Sequence, residues 1–299
     1  MAGGWIRLDN HLYWSDAEGR AWREITPADL GAATIRGVTF LDSRQGWMVL
    51  TEMTGEGEIS YLLGRTSDGG QTWAITPLDL FSPHDPAALA GGIFLGFRDR
   101  EMGWIVVKRA TSSNFSVGSL FTTTDGGEHW QRRTLPIGAP VVFLPEGRGW
   151  TAGGAAGNEL YRTLDGGGRW ERVTLAAPEE VVEHAFLPRF DARGKGLLAL
   201  ITHRQGKRFL TLFQTEDFGD SWERQRDLWL DGGERGEVLP LALIPGEGWL
   251  LVDPTRPRRF VGRQGRVTSR PITQSFPGSI VTLDMVTLEI GWAVAFDGA

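Results

Sequence analysis

Apolar residues in this chain come in short runs broken by polar turns, with no long stretch at helical spacing; Pro86–Ala90 and Pro178–Glu183 have room for a turn or two of helix at most. The run Val38-Thr39-Phe40-Leu41 ends in the polar Asp42-Ser43-Arg44-Gln45 and restarts at Gly46-Trp47. Gly-Trp returns at Gly103-Trp104, Gly149-Trp150, Gly248-Trp249 and Gly291-Trp292, with Gly196-Leu197 once in its place. Downstream of each lies a Thr/Phe/Tyr/Leu-rich run, a Gly-rich turn and another β-run. The predicted unit is strand A, turn, Gly-Trp strand B, loop, strand C, turn, strand D.

The turn between C and D is an octapeptide. It reads Thr66 to Trp73 (TSDGGQTW), Thr123 to Trp130 (TTDGGEHW), Thr163 to Trp170 (TLDGGGRW) and Thr215 to Trp222 (TEDFGDSW). A hydroxyl residue opens each copy, Asp stands third (Asp68, Asp125, Asp165, Asp217), Gly fifth and Trp eighth. A blurred copy, Ser15 to Trp22, has Ala17 where Asp belongs. Asp can accept backbone N–H groups within its own turn, and Gly supplies the positive φ angles of the bend. The closing Trp can bury roughly 150–250 Å², an upper estimate of about 4–6 kcal/mol. An Asp turn bond adds about 1–3 kcal/mol, so the expectation is that Trp dominates. Four equivalent carboxylates describe structure better than they describe four active sites.

Successive octapeptide Trp residues lie 51, 57, 40 and 52 positions apart, the period of propeller blades. The expected fold is all-β: a single β-propeller domain over residues 1–299, with six four-stranded blades. Five run over 33–80, 91–136, 140–176, 183–230 and 236–274, the last with a degenerate hairpin, Arg259 to Ser269, in place of the octapeptide. The sixth joins 278–297 to 5–27, closing the ring by pairing the N- and C-terminal strands and leaving no open edge. Trp5 and Trp292 both read as strand B, and this surplus leaves a seven-bladed ring or a fragment of a longer protein open.

The octapeptide resembles the Asp-box, or BNR repeat, of the sialidase-like propellers. With Gly-Trp upstream of an Asp-Gly-Gly turn, as at Gly46-Trp47 with Asp68 to Trp73, the chain is more similar to the photosystem II stability and assembly factor-like propellers. That resemblance implies a non-enzymatic propeller that holds protein partners, often outside the cytoplasm. Sialidase chemistry would need a Tyr nucleophile with a Glu partner; Tyr13, Tyr61 and Tyr161 each lie just before a box and read as packing residues. Ile6-Arg7-Leu8 lacks the Pro of the sialidase N-terminal motif. A xyloglucanase-like hydrolase would work two acids across a cleft and normally has two propellers.

Composition narrows the rest. A net charge of −6 gives no global attraction to nucleic acid or anionic membrane, and no uncharged apolar run approaches a membrane span. With no Cys there are no disulfides or thiolate sites, and the five His show no i, i+4 pair for zinc. No cofactor, metal or catalytic set is expected, and the chain reads as a monomer. The start, Met1 to Arg7, shows no signal peptide, and the compartment stays open.

In a propeller the A–B and C–D turns share one face, and the B–C and D–A loops share the other. On that second face two basic clusters stand out: Arg204, Lys207 and Arg208, beside His203, then Arg256, Arg258 and Arg259. Lying in consecutive blades, they suit an acidic protein or peptide partner.

Overall fold

The period-two runs fold into antiparallel strands in the computed structural model of the chain. It describes residues 4–16, 19–53, 59–80, 92–109, 117–225, 227–230, 239–253, 258–263, 266–272, 279–285 and 287–296. The architecture is all-β, a six-bladed β-propeller of four-stranded antiparallel blades. Among the described residues no helix is long and apolar enough to cross a membrane. The chain divides into two compact units, one of Met1–Ala155 with Tyr161–Arg172 and one of Ala156–Leu160 with Val173–Ala299.

The first unit begins with a three-stranded sheet, β1 (Gly4–Leu8), β2 (His11–Ser15) and β3 (Arg23–Glu24). Three four-stranded sheets follow. They are β4 (Thr34–Phe40), β5 (Gly46–Met53), β6 (Ile59–Thr66) and β7 (Ala74–Pro77); β8 (Ile93–Phe97), β9 (Gly103–Arg109), β10 (Val117–Thr123) and β11 (Gln131–Arg133); and β12 (Val141–Phe143), β13 (Gly149–Gly153), β14 (Glu159–Thr163) and β15 (Glu171–Arg172). Strands pair in sequence order within each sheet.

One contact recurs in every blade that carries the octapeptide. The last residue of strand A lies directly opposite the Gly of the Gly-Trp pair, or of Gly196-Leu197: Phe40 with Gly46, Phe97 with Gly103, Phe143 with Gly149 and Phe190 with Gly196. A Cβ on those glycines would sit 2.4–2.7 Å from the Phe ring. Glycine is there because the ring lies across it. In the first unit each ring is also clasped from both sides along the chain. Phe97 stacks on Trp47 of the preceding sheet at 3.9 Å and meets its own octapeptide Trp130 edge-on at 6.3 Å. Phe143 likewise lies between Trp104, edge-on at 5.4 Å, and Trp170, tilted at 6.3 Å, and Phe40 between Trp14, tilted at 5.1 Å, and Trp73, edge-on at 6.0 Å. Indole N–H groups tie the same neighbours, Trp47 Nε1 donating to the Gly126 carbonyl at 3.1 Å and Trp73 Nε1 to that of Ile25 at 2.8 Å.

The tryptophans therefore divide their labour differently from the sequence expectation. The Gly-Trp indoles Trp47, Trp104, Trp150 and Trp249 are buried, whereas the octapeptide indoles Trp73, Trp130, Trp170 and Trp222 are half-buried and act as lids over the Phe rings. Trp14, which belongs to neither repeat in the sequence, takes the clasping place over Phe40.

The octapeptide turn is a closed hydrogen-bond circuit. Its buried opening Thr donates to the Asp carboxylate and accepts from the Gly at position five, in all four copies. The same carboxylate accepts the backbone N–H of position seven, at 2.9–3.0 Å. Position four then donates its N–H to the A–B turn of the same blade: Gly69 to Arg44, Gly126 to Glu101, Gly166 to Gly147 and Phe218 to Gly194. The C–D and A–B turns thus lie together at one end of each blade. Positions four and five carry positive φ throughout, including Phe218 at 59°. The blurred copy keeps one link, Gly19 N–H to Ser15 Oγ at 2.9 Å.

In the second unit, β16 (Val181–Ala185), β18 (Gly196–Arg204), β19 (Lys207–Thr215) and β20 (Glu223–Arg224) form one sheet, to which β17 (Arg189–Phe190) and β21 (Leu228–Leu230) add short pairings on β18 and β19. Next come β22 (Leu241–Ile244), β23 (Gly248–Asp253), β24 (Arg258–Arg263) and β25 (Arg266–Pro271). A two-stranded sheet of β26 (Ser279–Met285) and β27 (Gly291–Phe296) ends the unit. Neither of these last two sheets has an octapeptide, and Ile244 and Met285 replace Phe opposite Gly248 and Gly291. The terminal sheets, each a sheet of its own, hold three and two strands, so the surplus strand counted from Trp5 and Trp292 is present.

Two outcomes test this packing. Phe97→Ala empties the space between two indoles and is expected to cost about 3–5 kcal/mol, and Gly103→Ala, which drives the ring aside, about 1–3 kcal/mol, both read from urea unfolding midpoints. Hydrogen bonds from the Ser221 hydroxyl, then its backbone N–H, lower the Asp217 carboxyl from 3.8 to about 2. A depressed carboxyl contributes stability above its unfolded value and loses it as pH falls through the folded one. Asp217→Asn should therefore unfold earlier than the parent at neutral pH, with the gap closing as pH falls from about 4 to about 2.

Candidate functional site

Gln205 and Gly206, both at positive φ, turn β18 into β19, as a two-residue hairpin requires. The turn sets Arg204 opposite Lys207 and His203 opposite Arg208, four basic side chains on one tip. Like charges placed so destabilise a ladder, and acids from flanking segments meet them. Glu183 sits where the register of β16 against β18 shifts, a bulge that re-aims its side chain. Its carboxylate accepts from Arg208 Nη2 at 2.8 Å and Nε at 3.2 Å, and pairs with His203 Nε2. The Glu180 side chain is fully buried and takes a fork from Arg224, at 2.6 and 2.9 Å, with Arg204 Nη1 at 3.2 Å. Asp227 bridges Arg204 at 2.8 Å and Arg224 at 3.0 Å.

Electrostatics follow from that geometry. Arg224's hydrogen bonds hold the Glu180 carboxyl below the usual carboxylate range against the opposing pull of burial, and Glu180 in turn raises the Arg224 guanidinium. Burial lowers His184. Three carboxylates thus face three guanidinium groups, and all six charges are committed to one another. Ion pairs this closed position a loop tip more than they stabilise it.

Of the residues singled out in the sequence, Arg208 is buried on Glu183 and Arg204 is held by Glu180 and Asp227, its guanidinium 4.1 Å over the Phe209 ring. Lys207 stays exposed, 5.9 Å from the Trp229 ring. Arg258 and Arg259 are exposed on β24, opposite Asp253 and Arg270. Arg256 lies outside the described residues. The partners Glu180, Glu183, Arg224 and Asp227 were not singled out, although the acidic loop from Glu179 to His184 lies one strand away from the basic tip. Trp229, outside both repeats, is 56% exposed at this blade end, with Val181 68% exposed. The octapeptide carboxylates are occupied by their own turns.

No protein-family model matches the chain, and no curated protein sequence matches it. Solved structures do. YCF48 bound to D1 peptide is similar with a TM-score of 0.61 at 18% identity, covering 99% of this chain and 87% of that one. YCF48 from Cyanidioschyzon merolae gives 0.53 at 12% identity, covering 100% and 97%. The GH74 xyloglucanase from Xanthomonas campestris gives 0.55 at 16%, covering 94% of this chain and 47% of that one. At such identities the likeness is one of fold, and by its fold this chain is a β-propeller similar to YCF48.

Proposed function

We propose that this propeller is a non-enzymatic binding module for a protein or peptide, that its octapeptides are structural Asp-box turns of the BNR type, and that the B–C and D–A loop face meets the partner. The observation that carries the reading is the exposed Trp229 and Val181 on the blade end that presents Lys207. A large indole left out of the repeat packing, beside an exposed Lys207, has the composition of an interface anchor. Arg204 and Arg208 hold this tip in shape through their acids. Lys207, Arg258 and Arg259, with Arg256 between Asp253 and Arg258 in sequence, supply the charge that an acidic partner reads. The YCF48 structure with a bound peptide lends the same reading by analogy of fold.

A glycoside hydrolase is the second reading, favoured by the likeness to the xyloglucanase. It needs two carboxylates free to face a glycosidic bond, and Glu180, Glu183 and Asp227 at this end are all ion-paired.

Affinity capture with the tagged chain tests the proposal. Trp229→Ala and the double variant Lys207→Glu/Arg258→Glu are expected to lower partner recovery about tenfold or more with unchanged melting. Undiminished recovery, or turnover of xyloglucan by the wild-type chain, would remove it.

A further inference from the structure

We infer that the β24–β25 hairpin is a second docking edge, one that takes an extended acidic polypeptide segment as an added strand on β25. The inference rests on the binding-module reading, shares Arg259 with it, and adds Arg263, Arg266 and Arg270. Between Pro254 and Leu283 the chain has no Asp or Glu and six arginines, on a protein whose net charge is −6. Five of the six are described, Arg258, Arg259 and Arg263 on β24 and Arg266 and Arg270 on β25. The ladder sets Arg259 opposite Arg270 and Arg263 opposite Arg266. Side chains alternate across a strand, so these four arginines share one face. Directly opposed like charges cost stability, and among the described residues none of the four has an ion-pair partner.

The backbone of β25 supplies the other half. The strand that follows each octapeptide or its blurred copy is two to four residues long, in β3, β7, β11, β15 and β20. β25 has six, all exposed and all paired with β24. It ends its sheet, with no strand on its outer side among the described residues, and such an edge offers unpaired N–H and C=O groups to an incoming chain. Charge alone guards an edge against aggregation, but a guard does not call for arginine set against arginine. An extended segment with acids on alternate positions meets both features, its backbone completing a ladder and its carboxylates seated on the guanidinium pairs. Arg266 and Arg270 lie roughly 13 Å apart along the strand, which asks for acids four residues apart. Nucleic acid or an anionic membrane would use the charges and leave the backbone edge empty.

Fluorescence anisotropy of the full chain with a labelled peptide of alternating Glu and Val tests this, beside three controls. These are the same peptide N-methylated at every second backbone nitrogen, a single-stranded oligonucleotide, and phosphatidylserine vesicles. The expected result is binding that weakens about tenfold or more in Arg266→Glu/Arg270→Glu and by a similar factor, about tenfold, on N-methylation. Arg266→Gln/Arg270→Gln repeats the test with a milder change. No binding, equal binding of the N-methylated copy, no loss in the β25 variants, or tighter binding of the oligonucleotide or vesicles would overturn the inference. Partner capture that survives the β25 variants while the peptide fails would sink the edge and spare the loop face; the converse would spare the edge.

Discussion

A phenylalanine ring laid across a glycine is the contact on which the blades depend. Because the ring occupies the volume of a Cβ, strand B must begin with Gly; because one edge of the ring is then open, an indole from the following octapeptide covers it. Where the octapeptide is missing the ring is missing too, and Ile244 or Met285 takes the place. Turn and core are therefore one device, in which the turn delivers the lid and the core gives the lid something to close on.

The repeated carboxylates belong to the same device. Each is consumed by the opening Thr and by position seven of its own turn, and this fixes the turn so that position four reaches the neighbouring A–B loop. Hydrogen bonds to the ionised form hold these acids low. A general acid would need the opposite shift. At the far end of the octapeptide blade in the second unit, the strand tips carry mixed charge and an exposed Trp229.

The fold was legible because a turn with positive φ, a hydroxyl cap and a buried indole demands particular residue types at fixed spacing. The Phe was equally legible in retrospect, six positions before Gly46, Gly103, Gly149 and Gly196, but its role depends on strand register, which spacing does not announce. The status of the basic tip was not legible. Glu180 and Glu183 neutralise Arg204 and Arg208 from 24 and 25 residues away, through a ladder and a bulge. Trp14 escaped because it reaches Phe40 from the strand that enters the blurred octapeptide, with no Gly before it. The charge of β24 and β25 was read only at Arg258 and Arg259, since Arg263, Arg266 and Arg270 are spread through a hairpin and gather on one face only when it folds.

The clasp of each ring by indoles from two successive sheets carries a consequence for cooperativity. Coupling in the first unit is nearest-neighbour, like that of a linear array in which every module holds the next. A loop can be rewritten without retuning distant sheets, since no clasp reaches past the adjacent module. New recognition surfaces can thus arise on one blade at a time while the mechanical frame stays the same.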